Sequence, residues 1–408
     1  MDTKRSVKEA KEQLGIKKLK NHQIAPINSI LEQNDTFVVA PTSAGKSAIY
    51  QISALVFPGL TLVIEPTLSL LYDQVNKLQL CDVRADYIDS SRTYEDNLSI
   101  LRKAQKGRLK FLFVTPERLQ NRTFQQEIND VSISLVVVDE AHCVTSWGYG
   151  FRSAYLKIGE FIETLSDSPI KVALTATAPP QTREKICELL SMEQPEIFIN
   201  SLHRPNLHFV KQTFISDEAK LEKLHYLLKK KEYQACVVYC NTISMTDAVY
   251  RKINEWFPEK ATQCHSNLDN HARKGNDLMF LNGERRIMVA TSAFGMGVDH
   301  SDVDLVIHFN LPLSPIDYYQ QAGRAGRAGQ SSKCVLFYCE DDYQVNRAII
   351  NRTDNDAARE CMLAALDQMK EYADSSECLA QQLLSALGEV RDIPCGLCTN
   401  CQKRRKQK

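Results

Sequence analysis

Two series of short apolar runs constrain this chain more than any other feature. The first covers 36–40, 60–65, 111–115, 135–139 and 171–175; the second covers 235–240, 261–265, 286–291, 304–309 and 333–338. Runs this short and this apolar suit strands buried on both faces. The amphipathic segments between them, such as Leu68 to Leu80 and Thr182 to Met192, suit crossover helices. Strand–helix–strand alternation builds parallel sheets flanked by helices, and here the pattern occurs twice. The halves meet near Ser201-Leu202-His203-Arg204-Pro205-Asn206, a polar, proline-containing stretch that reads as a linker. A third, helical piece begins near residue 345. The expected domains are therefore 1–203, 204–344 and 345–408.

Open parallel sheets bind ligands beyond the carboxyl ends of their strands. The run Val136-Val137-Val138 leads straight into Asp139-Glu140-Ala141-His142. An acid in that position can hold a magnesium ion while its neighbour orients a water. Upstream, Thr36-Phe37-Val38-Val39 enters Ala40-Pro41-Thr42-Ser43-Ala44-Gly45-Lys46-Ser47, a turn of small residues that opens a helix. Backbone N–H groups at such a helix start cradle phosphates. Lys46 would reach the β- and γ-phosphates, and the Ser47 hydroxyl would bind Mg²⁺. Thr42, Ser43, Ala44 and Gly45 line the loop. Ala40 stands where the pattern usually begins with glycine, so the match is Gly-Lys-Ser plus its context. Paired with Asp139 and Glu140 on a later strand, it predicts a nucleoside triphosphate site.

The 408 residues carry 25% charged and 43% hydrophobic side chains, which fits two or three globular domains. No apolar run is long enough to span a bilayer, and Met1 to Lys11 lacks an apolar signal core. The expectation is a soluble protein, cytoplasmic and nucleoid-associated in a prokaryote or nuclear in a eukaryote. The formal net charge is zero, so any nucleic-acid groove must come from local clusters. Of thirteen cysteines, Cys236, Cys240, Cys334 and Cys339 flank apolar residues and read as core thiols. Cys395, Cys398 and Cys401 form a tight C-x₂-C-x₂-C, with Cys378 upstream on a predicted helix, Cys378 to Leu387. Four thiolates can close a tetrahedral zinc site, and an iron–sulfur cluster is the chemical rival. Cys361 reads as a packing thiol or a stand-in ligand. The basic run Lys403 to Lys408 reads as a solvated, frayed tail, with a nucleic-acid contact as the alternative.

Further motifs follow in a fixed order. Pro66-Thr67-Leu68-Ser69-Leu70, Thr115-Pro116-Glu117-Arg118-Leu119 and Thr175-Ala176-Thr177-Ala178 fall in the first half. Tyr239-Cys240-Asn241-Thr242, Thr291 to Asp299, and Tyr318 to Arg327, ending Gly323-Arg324-Ala325-Gly326-Arg327, fall in the second. The set resembles a superfamily 2 helicase. The segment from His142 to Arg152, with Trp147 and Phe151, narrows the resemblance to the RecQ family, and it covers about residues 19–401.

That resemblance implies an α/β fold: two RecA-like parallel-sheet domains in tandem with a small helical zinc-binding carboxyl-terminal domain. It implies ATP-driven 3′→5′ movement on single-stranded DNA and unwinding of forked or partial-duplex DNA, with ATP, Mg²⁺ and Zn²⁺ as cofactors. By motif, Lys46 and Ser47 hold phosphates and Mg²⁺, Asp139 contacts the metal, and Glu140 handles the attacking water. Arg327 resembles an arginine finger with Arg324 beside it. Gln23 reads adenine and Asp299 contacts the ribose. Trp147, Phe151 and Arg152 sense single-stranded DNA, while Thr115, Arg118, Thr291 and Ser292 touch its backbone. Zinc is favoured over iron–sulfur at Cys378, Cys395, Cys398 and Cys401. His22 reads as a surface residue. The chain departs from the family pattern at Ile16, Lys20, Gln320-Gln321-Ala322, Ala328, Leu379 and Ala380.

Many relatives continue into a winged-helix domain. Its lack here predicts weak binding of duplex ends and low processivity, with a protein partner supplying the missing functions. A monomer is expected. The rival readings are a DNA-stimulated ATPase that remodels a partner without efficient unwinding, an RNA helicase, and a non-catalytic scaffold. The presence of Lys46, Asp139, Glu140 and Arg327 disfavours the scaffold.

Overall fold

The computed structural model describes residues 3–41, 44–146, 153–230, 233–292, 294 and 303–407. The chain divides into two compact units, Met1–Leu202 and His203–Lys408. The first holds β1 (Thr36–Val39), β2 (Leu60–Ile64), β3 (Ala85–Ile88), β4 (Phe111–Val114), β5 (Ile133–Val138), β6 (Ile170–Thr175) and β7 (Glu196–Ile199). They form one sheet in the order β3-β4-β2-β5-β6-β1-β7. The second holds β8 (Leu207–Thr213), β9 (Ala235–Tyr239), β10 (Ala261–Cys264), β11 (Ile287–Ala290), β12 (Val303–His308) and β13 (Ser332–Tyr338). Their order is β10-β11-β9-β12-β13-β8. Every pairing is parallel.

Parallel strands need crossovers that cover both faces, which is why the central strands are apolar throughout. All residues of β1, β2 and β4 are buried. Each fully buried valine or leucine contributes about 1.5–3 kcal/mol. The pleat then decides which side chains meet. Val38, Val63, Val137 and Leu174 share a core cluster with Ile49, Tyr50 and Ile52 of the helix Lys46–Val56. Two residues further along their strands, Ala40, Glu65, Asp139 and Ala176 emerge at the carboxyl edge on that same face. The chemistry of the first unit is thus aimed at the start of one helix by strand alternation alone.

The second sheet repeats the plan. Cys236, Val238, Ile287, Val289, Ile307, Val335 and Phe337 pack against Leu224, Leu228, Val249 and Ile253 of the helices Asp217–Lys229 and Ile243–Trp256. The thiols of Cys236, Cys240, Cys334 and Cys339 are buried, as expected of core cysteines.

The two units divide at Leu202/His203, inside the stretch expected as a linker, and the residues that follow are anchored. Arg204 and Asn206 donate to backbone carbonyls of the loop Gly323 to Gln330 and hold it in place. After β13 the chain turns helical with Glu340–Ile350, a helix that spans the expected start near 345. The basic tail is helical, Thr399–Gln407, rather than frayed. It is tied down where it begins: Thr399 Oγ1 accepts from Lys211 N (3.0 Å), and Asn400 Nδ2 donates to Ser375 O and Glu377 O (2.9 and 2.7 Å). Among the described residues, no helix is long and apolar enough to cross a membrane.

Candidate nucleotide, nucleic-acid and metal sites

β1 runs into a turn whose last residue, Gly45, has φ +81°. Glycine enters that left-handed region without the usual clash. A Cβ there would also lie 2.8 Å from Gln23 Nε2, so a side chain at this position would push the Gln23 amide aside. Gln23 is a tether for the loop: its Nε2 donates to Gly45 O (2.9 Å) and its Oε1 accepts from Lys20 N (2.8 Å). His22, expected as a surface residue, is half-buried, and its Nε2 donates to Ala44 O (3.0 Å). Both side chains therefore brace the turn. Thr42 and Ser43 lie outside the described residues.

The helix Lys46–Val56 begins at the end of this turn. Lys46 is only 9% exposed. Its Nζ reaches Ala40 O at 3.5 Å and stands 3.9 Å from Glu140 Oε1. Ser47 Oγ accepts from Gln74 Nε2 (3.2 Å), and Gln74 Oε1 accepts from Gln51 Nε2 (3.1 Å). Gln74 therefore fixes the hydroxyl expected to bind metal, a role sequence reasoning missed because nothing in a lone glutamine on a crossover helix announces it.

Asp139 directly follows β5, is 7% exposed, and its Oδ1 accepts from the N–H of Glu140 (2.8 Å). Glu140 turns the chain with φ +47°, a conformation that costs a non-glycine residue about 1–2 kcal/mol. The turn carries Ala141 N to Leu174 O of the next strand (2.8 Å). His142 Nδ1 bonds Thr175 Oγ1 (3.1 Å) and lies 3.4 Å from Glu140 Oε2. Thr175 Oγ1 in turn donates to Thr177 O (2.9 Å). The acid pair and the Thr175-Ala176-Thr177 motif are thus one bonded unit. Burial first, and the charge of Glu140 second, push the Asp139 carboxyl up to about 6, while Lys46 opposes the rise. Burial pushes the His142 imidazole down.

A third carboxylate belongs to this cluster. Glu65, one residue past β2, is fully buried. Burial, then Asp139 and Glu140, push it well above the usual carboxylate range. The motif beginning at Pro66 drew attention to the residues after it, and the acid before it went unread. The donors here are hard oxygens, from Ser47, Asp139 and their neighbours, which suits Mg²⁺.

In the second unit, the helix Pro315–Ala322 leads into the loop bearing Arg324 and Arg327. Gly326 has φ +64°, and a Cβ there would lie 2.3 Å from Asn206 Nδ2. Arg204 donates from Nη2 to Ala325 O (3.1 Å) and Gly326 O (2.7 Å). Both loop arginines are half-buried beside Tyr239, whose hydroxyl donates to Phe294 O (3.3 Å). Tyr239 also stacks on His308 at 5.4 Å. His308 Nε2 donates to Gln321 Oε1 (3.0 Å), and burial holds its imidazole down to about 3.

The residues expected to touch nucleic acid sit at the carboxyl edges of both sheets. Thr115 follows β4 and precedes the short 3₁₀ helix Pro116–Gln120, which carries Arg118; both are half-buried. Thr291 and Ser292 follow β11, the first half-buried and the second exposed. Trp147, Phe151, Arg152 and Asp299 lie outside the described residues.

The four cysteines come together. The sulfurs of Cys378, Cys395, Cys398 and Cys401 all lie within 4.8 Å of one another. Backbone N–H groups point at them: Cys395 N to Cys378 Sγ (3.2 Å), Cys398 N to Cys395 Sγ (3.3 Å) and Leu379 N to Cys398 Sγ (3.4 Å). Such donors stabilise thiolates, and hydrogen bonding from Cys395 holds the Cys398 thiol down while Cys395 is pushed up. Cys378 sits just before the helix Leu379–Ala386 rather than within it. The donor set fits Zn²⁺, and four protein ligands leave no open position, so the role is structural. Cys361 is exposed within the helix Asp356–Asp374 and stands apart from the group, so it is neither a packing thiol nor a substitute ligand.

Two parallel sheets, one with a Gly-Lys-Ser turn facing an Asp-Glu pair and the other with an arginine loop, define the DEAD/DEAH-box helicase class. The family model for DEAD/DEAH box helicases matches residues 20–186. That for the helicase conserved C-terminal domain matches 219–329, and that for RecQ zinc-binding matches 330–402. The ATP-dependent DNA helicase RecQ of Bacillus subtilis is 35% identical over 96% of this chain and 66% of its own length. A protein of Acanthamoeba polyphaga mimivirus, provisionally named an ATP-dependent RNA helicase, is 32% identical over 95% of this chain and 70% of its own length. The solved structure of the Mycobacterium smegmatis helicase Lhr, bound to single-stranded DNA and AMP-PNP, shares the fold. Its TM-score is 0.65 at 19% identity, over 91% of this chain and 54% of that one. The chain belongs to the RecQ family of superfamily 2 helicases. It spans between 61% and 66% of the length of three curated RecQ relatives.

Proposed function

We propose that this chain is an ATP-dependent DNA helicase that moves 3′→5′ on single-stranded DNA and separates forked or partial duplexes. One observation carries the reading: Lys46, Ser47, Asp139 and Glu140 converge at the start of a single helix, with Lys46 Nζ 3.9 Å from Glu140. In that arrangement the lysine waits on a carboxylate until phosphates displace it.

The roles follow from the chemistry. N–H groups of the Ala44–Ser47 turn bind the phosphates. Lys46 moves from Glu140 onto the β- and γ-phosphates. Glu140, released, orients or deprotonates the attacking water. Mg²⁺ held through Ser47 and Asp139 would neutralise phosphate charge as the bond to the leaving group breaks. Arg327 of the second unit is assigned as the finger that stabilises transition-state charge, a contribution of about 10³–10⁵ in rate, with Arg324 as its helper. Gln23 is assigned to the adenine edge and Asp299 to the ribose. Hydrolysis removes the charge that favours closure of the two units on the nucleotide, and their opening drives movement.

Trp147 and Phe151 are assigned to stack on bases, at about 1–3 kcal/mol each, with Arg152 beside them. Thr115, Arg118, Thr291 and Ser292 are assigned to the DNA backbone. The zinc module, from about 345 to 408, is assigned as a separate helical domain after lobes 1–203 and 204–344. The chain is expected to act as a monomer, with a protein partner assisting at duplex ends. The mimivirus relative's name keeps an RNA helicase as the second reading. ATP turnover measured with single-stranded DNA and with RNA of matched sequence separates them. Stimulation by RNA equal to that by DNA overturns the DNA assignment.

A further inference from the structure

The register of β2 and β5 pairs Ile64 with Val138. Backbone bonds carry it one residue further: Asp139 N donates to Ile64 O (3.1 Å) and Glu65 N to Val114 O (2.9 Å). Side chains alternate along strands, so Glu65 and Asp139 stand side by side on the face above the helix Lys46–Val56. Adjacent strands lie about 4.8 Å apart, a spacing at which two carboxylates can share one hydrated ion. Glu65 is 0% exposed, and among the described residues neither of its oxygens has a hydrogen-bond partner. Protonation would not repair this, because a neutral carboxyl still needs an acceptor for its O–H. The charged groups that act on it most strongly are Asp139, Glu140 and Asp73, set against Lys46. Three acids, one cation and two orphaned oxygens describe a place short of positive charge.

We propose that Glu65 and Asp139 together seat a divalent cation before nucleotide arrives. The seat lies within the proposed ATP site and rests on that reading for what the ion does next: it is already in place when phosphates dock beside Ser47. Mg²⁺ and Mn²⁺ suit it, because both take carboxylate oxygens and retain waters.

The test uses the full, zinc-loaded chain without nucleotide and Mn²⁺ as the probe. Free Mn²⁺ is read by its electron paramagnetic resonance signal during titration, with Mg²⁺ as competitor. The wild type should show one site that Mg²⁺ displaces. Glu65→Gln and Asp139→Asn should each weaken it by at least about 10–100-fold, the loss that follows even when only a group orienting a metal ligand is removed. Zinc content and the thermal midpoint report folding, and Glu65→Ser serves if the glutamine variant does not fold. Equal Mn²⁺ affinity in the wild type and a folded Glu65 variant overturns the proposal, as does the absence of any site in the wild type. Binding of a fluorescent ATP analogue, with Lys46→Ala as control, reports separately on the nucleotide reading. Lysine-dependent nucleotide binding with Mn²⁺ indifferent to Glu65 sinks the cation seat alone. A Glu65-dependent Mn²⁺ site in a chain that binds no nucleotide sinks the ATP assignment and leaves the seat.

Discussion

Arg204→Ala tests how the arginine loop is held. The guanidinium donates to Gly326 O at 2.7 Å, Ala325 O at 3.1 Å and Gly323 O at a long 3.4 Å. The first two fall in the normal range for N–H···O bonds and the third does not. A hydrogen bond from a charged donor contributes about 1.5–3 kcal/mol, and the half-buried setting favours the lower figure. Two such bonds put the loss at about 3 kcal/mol. Asn206 still donates to Gly326 O and Gln330 O, so the loop loosens rather than leaves. A displacement of about 1 Å in a positioned group can lower turnover about 10²-fold. ATP turnover should therefore fall by about 10–100-fold, and the urea midpoint of the second unit should drop. Affinity for a fluorescent ATP analogue should not change, because Lys46 and its loop belong to the other unit. Arg204→Lys should recover only part of the loss, since an ammonium lacks the planar fork. Wild-type turnover and an unmoved midpoint in a folded Arg204→Ala protein would refute the reasoning.

Lys46→Ala should abolish binding of the ATP analogue, whereas Glu140→Gln should bind it and fail to turn over; an active Glu140→Gln protein would contradict the water-handling role. Cys398→Ser should lose zinc and lower the unfolding temperature, and metal analysis showing full zinc occupancy would reject the ligand set. His308 bears on acid stability. Burial between Tyr239 and Tyr318 depresses its folded pKa to about 3 from 6.5, against the opposing pull of the hydrogen bond to Gln321. The unfolded chain therefore takes the proton first. His308 stabilises fully above pH 6.5, and that stability is lost as pH falls towards about 3, with a slope of up to ~1.4 kcal/mol per pH unit. In His308→Gln the acid limb of stability should flatten across that window, and parallel urea-midpoint curves for variant and wild type would exclude the effect.

The sheets were legible where strands are central. β1, β2, β4 and β5 announce themselves as unbroken apolar runs because helices cover both their faces. The strands that escaped notice, β3, β7 and β8, are all at sheet edges. Their sequences, Ala-Asp-Tyr-Ile, Glu-Ile-Phe-Ile and Leu-His-Phe-Val-Lys-Gln-Thr, mix polar residues because one edge is unpaired and partly wet. Motifs marked the site residues whose chemistry depends on local spacing, such as Gly45-Lys46-Ser47 and Cys395-Gly396-Leu397-Cys398. They could not mark residues that matter through tertiary proximity. Gln74 reaches Ser47 from a different helix, Arg204 reaches carbonyls more than a hundred residues away, and Glu65 meets Asp139 only through strand register. The cysteines show the same boundary: spacing indicated three of the ligands, while the fold separates Cys378 from the exposed Cys361.

The most direct test of the motor is strand displacement on a forked duplex, run alongside ATP turnover with single-stranded DNA present or absent. The account predicts DNA-stimulated turnover and ATP-dependent displacement from a 3′ tail, both abolished in Glu140→Gln. Turnover indifferent to DNA, or displacement that persists in Glu140→Gln, would contradict it.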